Sequence, residues 1–311
     1  MQLSNVPKMT RRKLFSNSGD WVVLAWITFM HIGALAGFFT FSWKAFGVML
    51  FLWWVTGCLG ITLGYHRYFT HRSYETPKWF AYVLAICGCM AGEAGPISWV
   101  AAHGYHHTFS DMDEDVHSPY KDPKHPVKSF FWAHFLWLFG RESFLEDYEK
   151  YKRYTPDMMR DKFLLFLNNY HILVSLTLAG VLYALGGWPF NVWGVFVRSV
   201  AVYHATWFVN SAAHVWGYRT YQTTDKSTNN WWVAILAFGE GWHNNHHAFQ
   251  RSARHGLRWW ELDMTYMMIQ LMKLCGLASN VYLPSPASLS ARVVSSDDPA
   301  AQTVEAVASE S

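Results

Sequence analysis

Long apolar stretches alternate with polar ones along this chain. Four of them, residues 21–41, 45–65, 163–187 and 193–213, reach the roughly 20 residues that carry a helix across a bilayer. A fifth, 79–97, is borderline and contains Glu93. "WWVAILAF" (231–238) is too short to span and reads as an interfacial helix. Between them lie a basic arm (1–20) and a central loop of mixed charge (110–160), where Pro119, Pro123 and Pro126 break regular structure. From Pro284 the chain is rich in Ser, Ala and Val without periodicity, and disorder is expected there. No repeat of fixed period stands out. The expected organisation is an arm (1–20), one membrane domain (21–283) and a tail (284–311). The first apolar stretch is too long for a signal-peptide core and lacks a cleavage motif, so it reads as a span.

Composition agrees with a membrane. Of 311 residues, 15% are charged, against about a quarter in a soluble domain. The net charge of +3 says little, but its distribution says more. Lys and Arg concentrate in the arm, the central loop and the C-terminal region, which the positive-inside rule places on the cytoplasmic side. The short connections near residues 42–44 and 187–191 then face the other side, giving two helical hairpins. Trp and Tyr at the stretch ends read as interface belts. Cys58, Cys87, Cys89 and Cys275 lie in or beside apolar segments and read as reduced packing residues.

The chemistry is in the histidines. "GEGWHNNHHAFQ" packs His243, His246 and His247 at i, i+3, i+4, one face of a helix. "HGYHH" repeats the spacing at His103, His106 and His107. "HRYFTH" supplies His66 and His71, and "NSAAH" adds His214 one turn after Asn210. Clustered imidazoles indicate transition-metal ligation. Nine exceed what one ion takes at about four to six ligands, and suit two. If 79–97 crossed the bilayer, the first two clusters would face opposite compartments, so that stretch is expected to be interfacial or re-entrant.

With H-x4-H, two H-x2-HH boxes and Asn-x3-His, the chain resembles the integral-membrane fatty acyl desaturases, most of all the delta-9 branch of plants and cyanobacteria. "GYHRYFTHRSY", "WVAAHGYHHTFSDMDEDVHSP" and "GEGWHNNHHAFQRSARHGL" carry the resemblance, which covers about residues 20–285. Front-end desaturases place Gln where His243 stands.

The resemblance implies an all-α, multi-pass membrane protein with four transmembrane helices in two hairpins, interfacial helices and a cytoplasmic di-iron cap. It implies an oxygen-dependent oxidoreductase that introduces a cis double bond, at delta-9, into a saturated acyl chain borne on a lipid or on coenzyme A. One iron would take His66, His71, His103, His107 and His246; the other His106, His214, His243 and His247, with Asn210 reaching a metal-bound water. All-imidazole ligation leaves ferrous iron open to O2, and reduced oxygen can abstract hydrogen from an unactivated methylene. No haem, flavin or iron–sulfur motif is visible, nor the "HPGG" of a fused cytochrome b5. Electrons would therefore come from a separate cytochrome b5 or ferredoxin with its reductase. The membrane would be the endoplasmic reticulum in a eukaryote, otherwise the plasma or thylakoid membrane. Animal-type acyl-CoA desaturases carry Arg-Asp directly before the second box, where Ala101-Ala102 stands here. That departure favours a lipid-linked chain.

Glu240, Asp111, Asp113, Asp115 and His117 are candidates to hold the outer N–H of ligand histidines, the alternative being solvated loop residues. His204 is a weaker candidate; His31, His125, His134, His171 and His255 read as packing or surface residues. Arg251, Arg254 and Arg258 fit an acidic donor or a lipid headgroup, or are plain cytoplasmic charge. For the floor of an acyl slot the bulky candidates are Leu52, Trp53 and Trp54. Trp54, about 18 Å up the second span from His66, is the expected floor. Two rival classes share parts of the pattern. A membrane di-iron fatty acid or alkane hydroxylase commonly has H-x3-H in its first box, unlike His66 and His71. A metal transporter would need ligands at mid-membrane depth.

Overall fold

The computed structural model describes residues 19–139 and 148–294. Its regular structure is helical, and pairing between extended segments is confined to isolated bridges among the described residues. Helix α1 (Gly19–Leu35) leads to α2 (Trp43–Trp53), which continues unbroken into a π-helical segment, Trp54–Thr70. Then come α3 (Lys78–Ala91), α4 (Pro96–Phe109), α5 (Pro126–His134), α6 (Tyr148–Tyr154), α7 (Lys162–Asn191) and α8 (Arg198–Asn210). Five short helices follow: α9 (Ala212–Val215), α10 (Trp231–Leu236), α11 (His243–Ala248), α12 (Met264–Leu274) and α13 (Pro286–Ser290).

Three helical stretches are long and apolar enough to cross a membrane: Trp21–Phe39, Trp43–Thr70 and Lys162–Val215. The last is broken. Gly186 and Gly187 leave helical angles, Gly187 at φ 62°, where glycine meets no Cβ penalty. Beyond the break the chain folds back along α7. Asn191 Nδ2 donates to the Ala179 carbonyl at 2.9 Å, and Leu182 packs against Gly194. The stretches expected at 163–187 and 193–213 thus pack together near their connection. The borderline fifth stretch is not straight, because α3 and α4 meet at 83°. Arg198, buried in α8, steadies that bend by donating from Nη1 to the Met90 carbonyl at 2.6 Å.

A seventeen-residue π-helix is unusual, and such geometry gathers at functional sites. Here it explains a spacing. The His71 N–H donates to the His66 carbonyl at 3.0 Å, so residue i+5 stands over residue i. Five residues of α-helix would leave the two side chains about 140° apart. The H-x4-H box therefore needs π geometry to face one ion. Small residues let α3 lie against this segment: a Cβ on Gly60 would stand 2.5 Å from the backbone of Cys87 and Gly88.

Part of the stretch expected to be disordered from Pro284 is regular. Residues 286–290 form α13, and Val293 bridges to Tyr221. Residues 295–311, and residues 1–18 of the arm, lie outside the described residues.

Candidate metal centre

Four separate segments bring the histidines together. The end of the π segment carries His66 and His71, α4 carries His103, His106 and His107, α9 carries His214, and α11 carries His243, His246 and His247. Their ring nitrogens gather into two groups, each within 4.8 Å: His66, His71, His103, His107 and His246, and then His106, His214, His243 and His247. These are the two sets that the resemblance implied. In the first group Nε2 atoms approach in series: His71–His103 at 3.2 Å, His103–His107 at 3.0 Å, His107–His246 at 3.0 Å and His246–His66 at 3.1 Å. In the second, His243 and His214 meet at 3.1 Å. Neighbours on one helix face divide between the groups, and the His107 and His247 rings stand 4.6 Å apart where they meet.

Carboxylates hold the outer nitrogens. Nδ1 of His66 lies 2.9 Å from Glu240, His106 3.1 Å from Asp115, His214 2.9 Å from Asp111 and His247 2.6 Å from Asp225. Donating Nδ1–H to a carboxylate fixes the tautomer and turns an unprotonated Nε2 inward. Nε2 of His106 and of His247 is buried with no hydrogen-bond partner. Burial, reinforced by neighbouring imidazoles, holds His243 and His246 well below the ordinary histidine range, so both stay neutral. Burial pushes the Asp225 carboxyl up, but His247 and Ser227 outweigh it and keep it ionised. Converging nitrogens of this kind could hold a cation between them. Two cis nitrogens about 2.1 Å from one ion stand about 3 Å apart, which matches the observed approaches, and neutral imidazole suits iron.

Of the expected outer partners, Glu240, Asp111 and Asp115 make contacts of this kind. Asp113 is exposed. His117 lies 3.5 Å from Asp115, and burial pushes its imidazole down to about 3. His204 partners no ligand: its ring bonds His31 at 3.2 Å and His134 at 3.0 Å, and His134 reaches Ser211. His171 bonds the Asn168 carbonyl, and exposed His125 pairs with Asp122.

Other residues carry weight that sequence reasoning missed. His255, read as a packing or surface residue, is buried with Nδ1 2.8 Å from Glu240. Arg67, fully buried, joins Glu240 at 3.0 Å, Asp263 at 2.9 Å and the Ala253 carbonyl at 2.7 Å. The box asparagines are structural clamps. Asn244 Oδ1 accepts from the Thr220 and Tyr221 N–H groups at 2.8 and 2.9 Å. Asn245 Nδ2 donates to the His255 carbonyl and to Glu261, both at 2.8 Å. Their signal was visible: amides between ligands on a six-residue helix must point away from the ion, into protein.

A cavity leads away from the first group. His66, His103, His243 and Asn210 line its polar end, and Trp53 and Phe238 its apolar reach. The two aromatic rings meet 5.4 Å apart. Trp54, the expected floor, is not among the lining residues; it packs beside exposed Phe51. Axial rise sets the depth of a floor but not which side chain faces the cavity, and the π segment turns less per residue than an α-helix. Leu52 packs instead with Leu182 and Phe196.

The comparisons agree with this geometry. Residues 43–273 match the fatty acid desaturase family. The chain is 52% identical over 266 residues to the sn-1 stearoyl-lipid 9-desaturase of Anabaena variabilis, covering 85% of this chain and 94% of that protein. It is 45% identical to the sn-2 palmitoyl-lipid 9-desaturase of Nostoc sp. (strain 36), covering 86% and 91%. It is 41% identical to the acyl-CoA 5-desaturase AL21 of Anemone leveillei, covering 91% and 87%. A family match over most of the chain, joined to two convergent histidine groups beside long apolar helices, makes this protein a member of the fatty acid desaturase family, and an oxidoreductase.

Proposed function

We propose that the protein is a membrane di-iron acyl-lipid desaturase that places a cis double bond at delta-9. The single observation that carries the chemistry is the pair of convergent imidazole groups at the mouth of an apolar cavity. The first iron would be held by His66, His71, His103, His107 and His246, the second by His106, His214, His243 and His247. The pair, when bound and reduced, supplies the oxygen activation needed to remove hydrogen from an unactivated methylene. The residues do the rest. Trp53 and Phe238 bound the apolar end of the cavity, so a saturated chain entering it is measured from a fixed stop. Apolar walls exclude water from the reacting carbons. Asn210, at the polar end, is the group to orient a water beside the second set. Glu240, Asp111, Asp115 and Asp225 keep the ligand rings in register.

Delta-9 position and a lipid-borne chain rest on the cyanobacterial relatives' names and on Ala101-Ala102. The acyl-CoA relative makes the headgroup a question for experiment. The reversal at Gly186–Gly187 supports four spans in two hairpins, with 78–109 re-entrant and the histidine cap on the cytoplasmic face. Two electrons per turnover would come from a separate carrier, cytochrome b5 or ferredoxin, so purified enzyme given only O2 and substrate should be inactive until carrier and reductase are added. The deciding test is expression in a host without its own desaturase, with the new double bond located by mass spectrometry. A 9,10-alkene is expected. An alcohol would assign the hydroxylase reading instead, and a double bond elsewhere would overturn delta-9.

A further inference from the structure

The second histidine group depends on one short loop for two of its three carboxylate contacts. Asp225 accepts from His247 Nδ1 at 2.6 Å. The next N–H, that of Lys226, donates at 2.9 Å to Asp111 Oδ2, the oxygen that also takes His214 Nδ1. Moving residues 225 and 226 therefore disturbs two of the four imidazoles. Asn244 grips the start of this loop from inside.

A segment expected to be disordered grips it from outside. The Gln222 N–H donates to the Arg292 carbonyl at 2.8 Å, and the Val294 N–H to the Thr220 carbonyl at 3.0 Å. Tyr221 and Val293 pair between them. Leu289 packs on Tyr221, Ala248 and Phe249. The Arg292 guanidinium donates to the Ala248 carbonyl at the end of α11 and lies 5.5 Å over the Phe249 ring. One stretch of chain thus ties the carboxylate loop to the helix carrying His243, His246 and His247. Arg292, Gln222, Asp225, His107 and His247 also line one polar cleft, so the clamp stands at the edge of the metal groups.

We propose that residues 286–294 are a clamp that positions the second histidine group, with Arg292 as its positioning residue. This rests on the two-iron reading above. Losing an outer-shell partner costs about 10–100-fold in metal affinity; loosening one from a contact away should cost about ten-fold.

The test compares the full chain with a chain ending at Val294, a chain ending at Leu283, and Arg292→Ala, each purified with iron and challenged with a ferrous chelator. The full chain and the chain ending at Val294 should hold two irons and release them alike. The chain ending at Leu283 and Arg292→Ala should give up one iron about ten-fold faster, with the other unchanged. Arg292→Ala decides the matter if the shorter chain fails to fold. Release at the full chain's rates in Arg292→Ala would overturn the clamp. So would equal acceleration of both irons, because the carboxylate loop that the segment holds contacts only His214 and His247, both of the second group. A full chain that binds no iron would overturn the two-iron reading, and this inference with it.

Discussion

Glu240 accepts from Arg67 at 3.0 Å, and its other oxygen stands 2.9 and 2.8 Å from Nδ1 of His66 and His255. Burial alone would raise its carboxyl, yet Arg67 and the two imidazoles hold it well below the usual range. A glutamine at this position could not accept from all three, and would leave the buried guanidinium with Asp263 alone. Glu240→Gln should lose the first group's iron and about 3–5 kcal/mol of stability, read by iron per chain and by thermal unfolding in detergent. His134 gives a pH effect. Burial, with His204 beside it, pushes its imidazole down to about 4, below the 6.5 of an unfolded chain. Between those values the unfolded state binds more protons, so stability falls as pH drops through this window. At pH 5 the loss from this one ring is about 2 kcal/mol. The drop in unfolding free energy from pH 7 to pH 5 should be smaller by about that amount in His134→Gln. The two histidine groups themselves were legible, because residue type and spacing within each box mark their members. Asp225 and His255 were not, since their partners are 22 and 15 residues away across loops with no periodic signal.

At the scale of elements, apolar length was enough to find the long apolar helices, and a break falls at Gly186 and Gly187, beside the expected turn. What length could not reveal was how the second span winds. Hydrophobic pattern is nearly blind to π against α geometry when most faces are apolar, and only the H-x4-H spacing hinted at it. The slot floor moves with it. Trp53→Ala should open the blind end and shift preference toward longer acyl chains without moving the double bond, whereas Trp54→Ala should leave the product ratio unchanged. Product profiles on mixed sixteen- and eighteen-carbon substrates check both. An unchanged ratio in well-expressed Trp53→Ala would place the floor elsewhere. Gly60 is the close approach that seats α3. A methyl there meets backbone rather than a movable side chain, so Gly60→Ala should lower the unfolding midpoint sharply or abolish accumulation in the membrane.

For the whole molecule, the site is assembled from segments that begin at residue 54 and end at residue 248. Each supplies too few histidines to bind alone, so on the two-iron reading metal and fold would stabilise one another. Stripping iron with a chelator should lower the unfolding temperature, and ferrous iron should restore it; a gain of about 4 kcal/mol corresponds to metal at a thousand times its dissociation constant. The winding of the second span adds a constraint of a different kind, on chain length. Deleting one residue between Trp54 and Thr70 would turn everything upstream by one residue's rotation against His71, somewhat less than the roughly 100° of an α-helix. Trp53 would leave the cavity wall, and α2 would present another face to its neighbours, although no ligand had been changed. Single-residue insertions and deletions should therefore be lethal to activity throughout this segment, yet tolerated in the exposed stretch at residues 123–125, which makes the span a ruler whose graduations are residues rather than side chains.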